Sequence, residues 1–172
     1  MKEFSEETVK FIKPFNLDWY GENKIPGKNN VVSIHKLIDA PYANVLCYPK
    51  VEPQELKSRL HELRKLGVQA IEFSGGKTIG SLRVLGKGCV GIVVIAYAKA
   101  GKAALKIRRT DANREEMEHE AEMLKKANSF NVGPRLFGFT SNFLMMEFIE
   151  GKLLPVWLDA LNNERKHVQA RL

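Results

Sequence analysis

The residues with the clearest capacity for chemistry run Gly86-Lys87-Gly88-Cys89-Val90-Gly91-Ile92-Val93, a GxGxxGxV spacing. Glycine lets a backbone turn tightly and approach an anion with no Cβ in the way. The spacing therefore suits a loop that covers phosphate groups, although a glycine-rich hairpin needs no ligand to exist. A dinucleotide-binding loop would lead into a helix, whereas these glycines lead into Ile92-Val93-Val94-Ile95, which is β-branched and strand-like. What remains is a glycine flap between two antiparallel strands, and a cation on the next strand could meet any phosphate that the flap covered. Ala103-Ala104-Leu105-Lys106-Ile107 supplies Lys106, with Ala104 small enough to line a pocket for a planar base. A strand lysine aimed into a cleft must be held and kept charged by a carboxylate on the following helix. Glu120 is the candidate, one helical turn before Leu124 on a face that includes apolar side chains, and Glu116 is the fallback one turn earlier. Glu115, Glu118 and Glu122 read as a solvated charged face, and so do Arg108 and Arg109 beyond Lys106.

The elements that must position these groups fall into two regimes that change near Gly75–Gly80. In the first, Ser5 to Lys13 is a short amphipathic segment capped by Ser5 and stopped by Pro14. Residues 16–41 have the composition of turns, with one apolar run at Val31–Ile34. Ala43–Tyr48 is an apolar, β-prone run, so a strand is expected. A helix then opens at Glu52-Pro53, carries the stripe Leu56, Leu60, Leu63 and Leu66, and closes at Gly67. Val68–Phe73 alternates as a strand. The second regime opens with strands at Thr78–Leu85, Gly91–Ala98 and Ala103–Ile107 in an antiparallel meander, followed by a helix over Arg114–Ala127. Strands follow at Leu136–Phe139 and Phe143–Ile149, and a helix at Leu153–Leu172.

With these elements in order, residues from about Leu82 to Leu158 resemble the N-lobe of the protein kinase-like superfamily. The likeness is in particular to small archaeal predicted Ser/Thr kinases related to the RIO-type atypical kinases. It implies an α+β fold, a five-stranded antiparallel sheet with one main helix, preceded by a small α/β unit. The implied division is an accessory unit at residues 1–76, the lobe at 77–152, and at 153–172 the start of a further lobe absent from this chain. It also implies ATP binding for phosphoryl transfer to a protein serine or threonine. Backbone amides of Gly86, Gly88 and Gly91 would cover the β- and γ-phosphates, with Lys87, Val93 and Ala104 in the nucleotide-binding set. Lys106 would orient the phosphates and Glu120 would hold Lys106. In Leu144-Met145-Met146-Glu147-Phe148-Ile149-Glu150-Gly151, Met146 would be the gatekeeper, and the backbones of Glu147 and Ile149 would bond the adenine edge. The departure is as informative. The catalytic-loop Asp, the metal-binding Asn and the DFG-like Asp are missing, since none of Asp18, Asp39, Asp111 and Asp159 stands in either setting. Mg²⁺ is accordingly expected only with the further lobe, and this chain alone is expected to hold nucleotide without transferring phosphate.

Composition narrows the classes further. The 172 residues are 44% hydrophobic and 27% charged, ordinary for a globular chain and inconsistent with disorder. No apolar stretch reaches the ~18 residues of a spanning helix, and the charged start Met1–Glu7 is no export signal, so no membrane partner is expected. Cys47 and Cys89 are far apart with no metal-ligand spacing, which suggests reducing cytoplasm and no metal site in this chain. HExxH, GxSxG and GxxxxGK[ST] patterns are absent. Two alternatives come from other classes: a non-catalytic nucleotide-binding scaffold, and an RNA- or ribonucleoprotein-associated adaptor. The second is motivated by the net charge of +7 and by the RIO-like resemblance.

Overall fold

β-branched residues flanked by short glycine turns build the centre of the molecule, a hairpin of two eight-residue strands, β7 (Gly91–Ala98) and β8 (Gly101–Arg108). The computed structural model describes residues 10–11, 26–99, 101–113, 115–151 and 157–158. Ahead of the hairpin come β1 (Lys10–Phe11), β2 (Val31–Ser33), a 3₁₀ turn at Ile34–Ile38, helices α1 (Tyr42–Leu46) and α2 (Pro53–Lys65), then β3 (Val68–Glu72), β4 (Lys77–Ile79), β5 (Leu82–Val84) and β6 (Gly86–Lys87). After it come α3 (Glu115–Ser129), β9 (Leu136–Phe139) and β10 (Phe143–Glu147). The architecture is α+β, with few helices among the described residues and a mostly antiparallel sheet.

The sheet has eight strands in the order β1-β9-β10-β8-β7-β3-β2, with β6 also paired to β7. Five strands and a separate α/β unit were expected, and the physical reason for the difference lies at one edge of β7. That edge is shared: β6 bonds beside Ile92 and Val93, and β3 takes the stretch from Ile95 to Ala98. β2 and β3 thereby extend the same sheet, and one apolar core runs from Val32 to Met145 across the residue 76 boundary.

Side chains alternate across this sheet. Ile92, Val94, Ala96, Leu105 and Ile107 point to the core with Leu56, Leu60 and Leu63 of α2. Each such leucine contributes about 1.5–3 kcal/mol on burial. α2 starts with Pro53 in its first turn, where the missing N–H costs nothing, and it ends before Gly67, whose φ is +75°. On the opposite face α3 packs through Met117 and Ala121 against Leu136, Phe139 and Leu144.

Three further expectations are corrected. The Ala43–Tyr48 run forms α1 rather than a strand; a short buried apolar run carries no period of its own, and tertiary packing decided it. The single strand Thr78–Leu85 is the two-strand hairpin β4–β5, because Gly80 turns the chain at φ +56°. Within the amphipathic Ser5–Lys13 segment, Lys10–Phe11 pairs as a strand with β9; the rest of it lies outside the described residues, as does the Leu153–Leu172 helix apart from Trp157 and Leu158. Cys47 is buried and Cys89 exposed, both as free thiols. No helix among the described residues is long and apolar enough to cross a membrane.

Candidate functional site

The α3-side face of the sheet carries the charged pair. β7 and β8 are registered so that Val93 opposes Lys106 and Ile95 opposes Ala104. β10 continues the rows with Leu144 opposite Lys106 and Met146 opposite Ala104. Side chains opposite one another share a face, so Val93, Ile95, Ala104, Leu144 and Met146 form an apolar strip around one ammonium group. The Lys106 Nζ is hydrogen-bonded to Glu120 Oε2 of α3, with the two side chains 18% and 39% exposed. Glu116 is exposed and the pairing falls to Glu120. Helix phase explains the choice: Glu120 lies beside Met117 and Ala121, the residues through which α3 meets the sheet.

The three glycines differ in what they do. A Cβ at Gly91 would lie 2.8 Å from the Ile107 carbonyl oxygen and 3.0 Å from Lys106 Cε. Glycine there lets β8 and the lysine stem pass close by, so Gly91 makes room for Lys106. At Gly86 and Gly88 a Cβ would meet nothing nearer than 3.8 and 3.7 Å. The Gly88 N–H is already donated to the Gly91 carbonyl at 2.9 Å, closing the loop on itself. In this conformation the Gly88 amide is used within the flap.

Lys87 does not join the site. Its register partner Ile92 faces the core side, and its ammonium lies 4.5 Å from the centre of the Tyr48 ring. A hydrogen bond and the charge of Lys87 lower the Tyr48 phenol from its ordinary value. Arg109 approaches the same ring at 5.1 Å, donates to the Gly88 carbonyl at 3.4 Å, and is gripped by Asp111 at 2.8 and 2.6 Å. Its own N–H bonds the Val90 carbonyl, so Arg109 ties the flap to the end of β8 rather than lying free in solvent.

At the proposed hinge, the Glu147 N–H is donated to the Arg135 carbonyl at 2.8 Å. The Glu147 carboxyl is held below the usual carboxylate range, first by the Arg135 backbone N–H and then by its guanidinium. The Glu147 N–H is thus already used within the sheet, and Ile149 presents an exposed side chain. Lys102, on the same face as Lys106, bonds Glu150 at 2.7 Å and lies 4.1 Å from the centre of the Phe148 ring, fastening this segment to β8. Farther along the face, Glu72 is buried and accepts hydrogen bonds from Tyr97 at 2.6 Å and Ser74 at 3.1 Å. Burial pushes its carboxyl up, and these two bonds outweigh burial and leave it lowered.

A second constellation was not legible as one. Arg108, expected as a solvated edge, is 3% exposed and bonds Asn142 and Glu55. Arg59, fully buried, bonds Glu55, the Leu46 and Arg108 carbonyls, and Asn142. Asn142 in turn donates to both oxygens of Glu62, from its backbone N–H and its amide. A sequence signal existed: Arg59 lies three residues after Leu56 and four before Leu63, inside the apolar stripe of α2. Asn142 had none, since it reads as an ordinary turn residue.

Searches of protein-family models, curated proteins and solved structures return no match to this chain.

Proposed function

We propose that this chain is the nucleotide-holding lobe of a protein kinase-like phosphotransferase, with ATP as the nucleotide and a protein serine or threonine as acceptor. The observation that supports this reading best is the Lys106–Glu120 ion pair on the face that also carries Val93, Ala104 and Met146. A triphosphate needs a fixed cation in partly dry surroundings, where charge attraction is stronger than in open water. Glu120 keeps Lys106 oriented, and the apolar strip from Val93 to Met146 suits the flat face of a base. Gly86 fits the same use, because neither positive φ nor crowding demands glycine there. Mg²⁺ would enter with the phosphates, and the acid–base and metal-holding residues of transfer would come from a further lobe.

Calorimetric titration of the chain with ATP and with ATP·Mg²⁺, beside Lys106→Ala, tests the proposal. Binding by the parent that weakens at least about tenfold in the variant is the expected result, the size of one lost charge-assisted contact. Lack of binding by the parent, or undiminished binding by Lys106→Ala, would overturn it.

A further inference from the structure

We infer that Arg108 is a positioning residue for the Lys106–Glu120 pair, acting through the turn that joins β8 to α3 and anchored by α2. Its role toward phosphate rests on the nucleotide reading; its role toward the ion pair does not. Lys106 lies two residues before Arg108 in β8, and α3 begins at Glu115, so the connection between them sets where Glu120 meets Lys106. The Arg108 guanidinium fills the inside of that connection. Nη1 donates to the carbonyls of Arg109 at 2.9 Å and Ala112 at 2.6 Å, while Nε and Nη2 reach Asn142 Oδ1 at 3.1 and 2.6 Å. The Ala112 N–H closes the turn onto the Arg109 carbonyl, and the Asn113 side chain then accepts the Glu115 N–H at the start of α3.

α2 holds this turn from the other side. Arg59 Nη1 bonds the Arg108 carbonyl at 2.6 Å and the Leu46 carbonyl at 2.5 Å, so one group joins the end of α1 to the end of β8. Glu55 accepts from both guanidinium groups, at 2.8 Å from Arg59 and 3.4 Å from Arg108. Only a planar five-donor fork meets acceptors in these directions; an ammonium carries three donors on one atom and reaches fewer of them. Simple filling of the space would not need charge, since apolar residues replace buried ion pairs at little or no loss of stability. A fully bonded charged cluster, in contrast, is satisfied in one arrangement of the turn and penalised in others.

The test compares Arg108→Lys, which keeps the charge and loses the fork, with the parent chain by NMR of ¹⁵N-lysine-labelled protein. The Lys106 ammonium signal is assigned by its loss in Lys106→Ala. In Arg108→Lys that signal is expected to move toward its position in Glu120→Gln, and ATP affinity to fall on the order of fivefold. A core variant, Leu63→Ala, is the control: it lowers stability and leaves the Lys106 signal in place. An unchanged Lys106 signal in folded Arg108→Lys overturns the inference. Should Arg108→Lys not fold, Glu55→Gln removes the shared acceptor's charge at unchanged size, and an unchanged signal there overturns it equally. Absence of ATP binding by the parent would sink the nucleotide reading alone, because the ammonium signal still reports on positioning.

Discussion

Opposite charges meet in two regions of this protein, and the surroundings give them different work. Arg59, Glu62, Arg108 and Asn142 lie between α2, the end of β8 and the β9–β10 turn, all at 3% exposure or less. Every buried side-chain polar atom among the described residues has a partner. Lys106 and Glu120 bridge β8 and α3 at the surface of the face, with water reaching both. Desolvation makes the first set all-or-none: intact it fixes one geometry, and with one member missing it strands a buried charge. Partial hydration makes the second pair exchangeable, so an anionic ligand can share Lys106 without unfolding anything. The comparison teaches that the same residue types lock the fold where water is excluded and stay available to a ligand, under the proposed reading, where it is not.

The largest effect expected of a single substitution breaks the buried set. Arg59→Met takes a donor from the Glu55 carboxylate and from the buried Leu46 and Arg108 carbonyls and should cost about 3–5 kcal/mol in urea unfolding; a loss below about 1 kcal/mol would show that the network does not hold the fold. Gly91→Ala touches both regions at their boundary. Its methyl would press on the Ile107 carbonyl and the Lys106 stem, costing about 1–3 kcal/mol and weakening ATP binding together. Parent-like affinity in that variant would separate the glycine from the site.

Lys106→Ala should change stability by only about 0–1 kcal/mol, the range of partly exposed ion pairs, while ATP affinity drops. A stability loss as large as that of Arg59→Met would erase the distinction between the regions. The smallest effect is confined to acid and sharpens the comparison at a third carboxylate. The Glu72 carboxyl is lowered in the folded chain, so its stabilisation is present above its unfolded value near ~4.3 and is lost as pH falls through the folded value. The stability difference between parent and Glu72→Gln in urea unfolding should therefore shrink as pH falls from about 6 to below the unfolded value; a difference that stays constant would contradict this.

Much of the scaffold was legible along the chain. α2 and α3 announce themselves through apolar stripes at helical spacing, and β7, β8, β9 and β10 through β-prone runs between glycine or polar turns. Lys106 and Glu120 were paired because a lysine held in a cleft calls for a carboxylate on the next helix, with helix spacing choosing Glu120, and they do meet. α1 was misread because five residues, three of them buried, are too few to show either period. Lys87 lies on the other face from Lys106 because a one-residue step along a strand moves a side chain across the sheet. Arg108 looked like one more charge at a strand end, where water is the usual partner, and only packing of α2 over that end buried it.

The longer elements were thus legible in sequence alone: α2, α3 and strands β7 to β10, and the helical spacing that lets Glu120 reach Lys106. Tertiary structure decided the rest. It split one edge of β7 between β6 and β3, turned Arg109 onto the flap, and brought Arg59, Glu62, Arg108 and Asn142 together from positions up to 83 residues apart. The physical reason is range. Periodicity and turn chemistry act over a few neighbouring residues, whereas the burial of a charge depends on which distant groups arrive to bond it.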